Sequence, residues 1–87
     1  MKYTEAVGAR LKELLKQAKL SQKHFAQKSN ISRVTINKTI NGRANIVTFE
    51  TLIVFCQTLN ITLKDFFASE LFACDIEFGE KKKGRRI

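Results

Sequence analysis

The stretch SQKHFAQKSNISRVTINKTINGR, residues 21–43, decides the fold of this chain. Ser21 and Ser32 are well suited to begin helices, because a serine hydroxyl can accept a hydrogen bond from an unpaired backbone N–H of the first turn. Asn30 lies between them and tolerates the left-handed backbone that ends a helix. The pattern therefore predicts two short helices joined by a tight turn.

The two predicted helices cover 22–28 and about 33–41, with the turn at 29–31 and Gly42 at the end of the second helix. Helices this short are not stable alone, so neighbouring elements must pack closely against them. The stretch contains three Lys and two Arg but no Asp or Glu. Such a surface is either an ordinary solvated face or one that faces a polyanion.

The flanking sequence predicts three more helices. The first is expected at Thr4–Lys19, with an apolar stripe on one side and Arg10 among the basic residues of the other. Thr48 begins a helix to about Leu59, whose predicted buried stripe is Phe49, Leu52, Ile53, Cys56 and Leu59. A fifth helix is expected from Leu63 through Phe67, with a possible extension to Phe72.

The predicted architecture is all-α: a compact five-helix helix-turn-helix domain at 1–72 with a short C-terminal extension. Within that extension, residues 73–80 fit either a short strand or an extended arm. The closing KKKGRRI is expected to be a disordered basic tail that adds sequence-independent phosphate affinity. With 87 residues the chain has room for a single modest core.

Charge is unevenly distributed over the chain. The net charge is +8, yet residues 44–80 contain one Lys against six acidic residues, so a basic region and an acidic region are separate. Cys56 and Cys74 form no CxxC motif and His24 is the single histidine, which predicts free thiols and no metal site. Without a signal-like or membrane-spanning apolar run, we expect a cytoplasmic protein that makes no membrane contact.

At the level of motifs, LSQKHFAQKSNISRVTINKTINGR followed by TFETLIVFCQTLNITLKDFF resembles the lambda-repressor-like (Cro/cI, or XRE) helix-turn-helix family. The resemblance covers about residues 5–68 and all five predicted helices. It implies that the second short helix enters the DNA major groove while the first lies across the backbone. The chain departs from the family pattern at Asn30, Thr39 and Ile40, where Gly, a larger apolar residue and Glu are common.

The resemblance also implies roles for individual residues. Base contacts fall to four residues of the second short helix: Arg33, Val34, Asn37 and Lys38. Backbone contacts fall to Gln22, Lys23, Thr35 and Arg43. Arg or Lys pairing with guanine is the commonest specific contact, and Val34 suits a thymine methyl group.

The C-terminal third has more apolar residues than one small bundle requires, which predicts a dimer interface at Phe66, Phe67, Leu71 and Phe72. Such a homodimer would bind a palindromic operator on double-stranded DNA. The function expected is therefore a transcriptional repressor of XRE type, without catalysis and without a cofactor. The alternative is an antitoxin or restriction–modification module of the same fold that binds a small protein partner.

Overall fold

The structure, a computed structural model, describes residues 2–44 and 46–73. Its helices are α1 (Tyr3–Ala18), α2 (Gln22–Ser29), α3 (Arg33–Ile40), α4 (Phe49–Leu59) and α5 (Leu63–Phe66), followed by a 3₁₀-helix at Glu70–Phe72. The predicted all-α, five-helix architecture is confirmed. The strand-or-arm alternative for 73–80 and the predicted tail lie outside the described residues, apart from Ala73.

The helix starts follow the predicted caps. The hydroxyls of Ser21, Ser32 and Thr48 each accept a hydrogen bond from a first-turn backbone N–H of α2, α3 and α4. Thr62 and Asp65 complete a capping box at α5, with each side chain bonded to the backbone N–H of the other. The sequence therefore places these starts correctly because a cap depends on residues only three positions apart.

Three helices end on non-glycine residues with left-handed backbone: Lys19 after α1, Asn30 after α2 and Asn60 after α4. At Lys19 the closing bonds run from its own N–H to Lys16 and from the Leu20 N–H to the Leu15 carbonyl. That pair of bonds is a Schellman motif, which usually has glycine at the left-handed position. Lys19 therefore holds a conformation that a Cβ atom disfavours.

The core lies between α1 and the other helices. Its buried side chains include Val7, Leu11, Phe25, Ile36, Leu52, Phe55 and Phe66. Phe25 of α2 and Phe55 of α4 pack with ring centroids 5.7 Å apart, which ties the first short helix to the bundle. Burial, with a smaller effect from Asp65, raises the pKa of the Cys56 thiol, so this group stays neutral within the core.

Helices α1 and α3 touch through their backbones at Gly8. A Cβ atom at this position would fall well inside van der Waals contact of the Thr39 carbonyl oxygen. The Thr39 side chain is buried there, and its hydroxyl donates to the Thr35 carbonyl at 2.9 Å. The absence of a side chain at Gly8 lets α3 lie directly on α1.

Two predictions about the core are wrong. Phe49 was expected in the buried stripe of α4, but it is 61% exposed, and Phe55 fills the interior instead. Phe49 is the first residue of α4, so it lies at the end of the helix and beyond the packed part of the stripe.

Arg10, expected on the polar face of α1, is 9% exposed. Its Nε donates to the Phe66 carbonyl at 2.6 Å, and its Nη2 donates to the Asp65 carbonyl at 2.8 Å. Its Nη1 forms an ion pair with Glu13 at 3.0 Å. The guanidinium therefore ties α1 to the last carbonyls of α5, where a cation also suits the helix dipole.

Candidate nucleic-acid interface

Helices α2 and α3 each bury one narrow face and leave the other exposed. In α2 the buried residues are Phe25 and Ser29, and in α3 they are Ile36 and Thr39. The α3 residues predicted to contact bases are all exposed: Arg33, Val34, Asn37 and Lys38. Core packing thus holds α3 from one side and leaves its opposite side free for a ligand.

The start of α3 is fixed by its cap. The Ser32 hydroxyl accepts from the Thr35 backbone N–H at 3.1 Å and donates to the Thr35 hydroxyl at 3.0 Å. Thr35 is exposed, as its predicted role at the DNA backbone requires. Arg33 and Val34 lie in the first turn between Ser32 and Thr35, so the cap also fixes the backbone positions from which their side chains extend.

The end of α3 is fixed by Gly42 and Arg43. Gly42 has φ +71°, and its N–H bonds to the Thr39 carbonyl, while the Arg43 N–H bonds to the Lys38 carbonyl at 2.8 Å. This Schellman motif turns the chain sharply and leaves the Arg43 side chain exposed beside the end of α3.

A chain of three side-chain amides connects the two short helices. The Asn37 Nδ2 donates to Gln22 Oε1 at 3.2 Å, and the Asn41 Nδ2 donates to Asn37 Oδ1 at 3.1 Å. Gln22 is the first residue of α2 and is partly buried, whereas Asn37 and Asn41 are exposed and one turn apart. Sequence reasoning gave Asn37 a base contact and did not foresee that its amide is already bonded on both sides.

The exposed cations of this region define what we call the basic surface: Lys23, Lys28, Arg33, Lys38 and Arg43. Across residues 2–44 and 46–73, the only ion pair is that of Arg10 with Glu13, so the basic surface has no carboxylate partner. The five cations therefore remain available to an external anion. The helix N-termini of α2 and α3 add their own positive ends to the same region.

The four predicted dimer residues do not share one environment. Phe66 is fully buried in the monomer core, so the structure corrects its predicted place on a surface. Phe67 is 36% exposed and stacks edge-on against Phe72 with ring centroids 4.8 Å apart, while Leu71 and Phe72 are half-buried. The interface itself stays a prediction.

Two large apolar side chains that sequence reasoning did not place on the surface are exposed, one in the loop before α4 and one at the first position of α4. They are Ile46, at 73%, and Phe49. Val34 of α3 is also 65% exposed, in keeping with its predicted place. Phe49 fits the regular apolar spacing of α4, and its place as the first residue of the helix was the one signal of its exposure.

Within the described part of the chain, no three His, Cys, Asp or Glu side chains come close enough together to bind a metal ion. No helix among these residues is long and apolar enough to cross a membrane. The residues at the surface of α2 and α3 carry positive charges and hydrogen-bond donors, which suit binding to phosphates and base edges.

Comparison with known proteins agrees with this geometry. The Cro/C1-type HTH DNA-binding domain family matches residues 10–70. The restriction-modification controller protein C.AhdI from Aeromonas hydrophila is similar in structure, with a TM-score of 0.68 and 26% identity over 74% of this chain and 96% of that one. A point mutant of the controller protein C.Esp1396I has a TM-score of 0.70 and 23% identity over 77% and 86%. No curated protein matches the chain.

Proposed function

The chain belongs to the Cro/C1-type helix-turn-helix DNA-binding domain family, and from that premise we propose that it is a sequence-specific repressor. The observation that carries the proposal is the basic surface, whose five exposed cations have no carboxylate partner in the described residues. In water such cations gain little interaction free energy. On DNA, each contact to a phosphate releases a condensed counterion, which favours binding. The basic surface is therefore better suited to binding a polyanion than to forming ion pairs within the protein.

In the proposed complex α3 lies in the major groove. Arg33 and Lys38 would read guanine through O6 and N7, and Val34 would contact a thymine methyl group. Gln22, Lys23, Thr35 and Arg43 would contact phosphates and fix the register of α3 without reading sequence. Repression follows when an operator bound in this way overlaps a promoter.

We propose that the protein binds its operator as a homodimer through Phe67, Leu71 and Phe72. These residues form an apolar group that is only partly covered within one chain. A two-fold dimer presents two α3 helices to half-sites about one helical turn apart, which requires a palindrome. Phe66 leaves the predicted interface because it is buried.

The likeness to restriction-modification controller proteins supports a regulator in such a system as the setting. A second candidate function, binding to a small protein partner as an antitoxin-type module does, is favoured by one observation. Ile46 and Phe49 expose apolar surface shortly after Arg43 in the sequence and well before the proposed dimer residues.

Selection of binding sites from a random duplex library tests the proposed function. The purified protein, near physiological salt, is expected to enrich an inverted repeat. Binding that is salt-sensitive but equal for all duplexes would contradict sequence-specific repression and favour the protein-partner candidate.

The dimer is tested separately by light scattering of two matched variants. Phe67→Ser is expected to reduce the molar mass to that of one chain, whereas Phe49→Ser is expected to leave the dimer intact. The opposite pattern would move the interface to the Ile46 and Phe49 surface, and a monomeric parent protein would overturn the dimer altogether.

A further inference from the structure

We infer that Asn37 is a positioning residue, which orients the Gln22 amide toward a DNA phosphate and does not itself read a base. The inference rests on the proposed function and deepens it at the same surface. It starts from the amide chain of Gln22, Asn37 and Asn41, whose two hydrogen bonds are 3.2 and 3.1 Å long.

The hydrogen bonds of the amide chain all run in one direction. Asn41 donates to Asn37, and Asn37 donates to Gln22. The Asn37 oxygen therefore already accepts one hydrogen bond and one of its two N–H groups already donates one, whereas reading adenine takes an oxygen lone pair and an N–H from the same amide. A base contact by Asn37 would therefore compete with contacts that the free protein already makes.

The same direction fixes which atoms Gln22 presents. Because Oε1 of Gln22 accepts from Asn37, its Nε2 group has no partner among the residues that the structure describes. An amide NH₂ is a pure donor, which suits a phosphate oxygen and does not suit another cation or an N–H. Without Asn37, the Gln22 amide could rotate by half a turn and present its oxygen to the phosphate instead.

The location of Gln22 strengthens this assignment. It is the first residue of α2, where unpaired backbone N–H groups and the positive end of the helix dipole favour an anion. Lys23 follows it and is exposed on the basic surface. Donor, dipole and cation are therefore found together, and Asn37 reaches this group from α3 across 15 positions of the sequence.

A double-mutant cycle tests the inference, using Gln22→Ala, Asn37→Ala and the double variant on the duplex that the wild-type protein prefers. Losing one hydrogen bond is expected to weaken binding by about five-fold in each single variant. Since both remove the same phosphate contact, the double variant is also expected to lose about five-fold, and not about twenty-five-fold.

Two further measurements separate positioning from base reading. Asn37→Ala is expected to weaken binding to all operator variants equally and to leave the salt dependence unchanged, since no cation is lost. The control Lys23→Ala should reduce the salt slope by about one. Additive losses in the cycle, or a relaxed preference at one base pair in Asn37→Ala, would overturn the inference.

Failure of the proposed function does not prevent this test. If the wild-type protein shows no sequence preference, the cycle is run on a random-sequence duplex, because phosphate contacts do not depend on sequence. Coupled losses there would support the positioning role although specific repression had failed, and additive losses would contradict it. Asn37 is exposed, so thermal unfolding of Asn37→Ala should match the parent protein.

Discussion

Helices α2 and α3 on one side, and α5 with the 3₁₀-helix on the other, show two ways to hold elements too short to be stable alone. The α2–α3 pair has eight residues in each helix and leaves five cations without a carboxylate partner in the described chain. The C-terminal pair has four and three residues, and Arg10 binds its carbonyls from inside the molecule.

The difference lies in where charge is compensated. Arg10 is satisfied by two carbonyls and Glu13, while the Glu13 carboxylate also accepts from the Ser69 hydroxyl at 3.4 Å. On the basic surface, no carboxylate of the described chain pairs with the cations, so their charge is left for a bound anion to neutralise. Changes at the C-terminal pair should therefore alter folding, and changes at the α2–α3 surface should alter binding.

The largest loss of stability is expected from a substitution that disturbs the contact between α1 and α3 at Gly8. Gly8→Ala puts a methyl group against the Thr39 carbonyl oxygen, so α1 and α3 must separate. We expect a loss of about 3 kcal/mol or more in the free energy of unfolding, enough to leave a domain of this size partly unfolded. Urea denaturation followed by circular dichroism measures this.

The next largest loss is expected when the hydrogen bonds of the Arg10 guanidinium to α5 are removed. Arg10→Met keeps the length of the side chain but leaves the carbonyls of Asp65 and Phe66 without their donor. We expect a loss of about 2 kcal/mol in the free energy of unfolding, because buried acceptors lose their hydrogen bonds. The same substitution at exposed Lys12 of α1 should change stability by less than about 0.5 kcal/mol. Equal effects would show that Arg10 does not act through its buried contacts.

The third effect should appear in binding alone. Arg33→Ala and Lys38→Ala are each expected to cost about 1–2 kcal/mol of operator affinity and to relax the preference at separate base pairs. Because both side chains are exposed, their thermal unfolding should match the parent protein. A clear loss of stability in either variant would remove the separation between the two regions.

The smallest effect is a gain. Lys19→Gly relieves a left-handed backbone at φ 58° that a Cβ atom disfavours, and the added freedom of the unfolded chain offsets part of the benefit. We expect about 0.5 kcal/mol of added stability, measured as a higher unfolding midpoint in urea. Ala18→Gly, one residue earlier and inside the helix, should lower the midpoint instead.

Sequence reasoning succeeded where the signal was local. The caps at Ser21, Ser32 and Thr48 depend on neighbours within one turn, and the left-handed end at Asn30 depends on a single residue. Helix number and the exposed face of α3 followed from them.

The misses depended on contacts distant in sequence. Arg10 is buried because carbonyls 55 and 56 positions away accept from it, which no pattern within α1 indicates. Phe66 went into the core for the same reason, as its place depends on how α5 docks on α1. The hydrogen bond from the Asn37 amide to the Gln22 amide likewise depends on how α2 and α3 cross.

The backbone contact between Gly8 and Thr39 has a thermodynamic consequence for recognition. Because the backbones of α1 and α3 touch where Gly8 meets the Thr39 carbonyl, α3 has no room to move closer to α1 at this point, and its position is already fixed in the free protein. Binding should then require little additional ordering of the protein. The heat-capacity change measured by calorimetry should match the apolar area of the DNA interface alone, without the larger negative value that accompanies coupled folding.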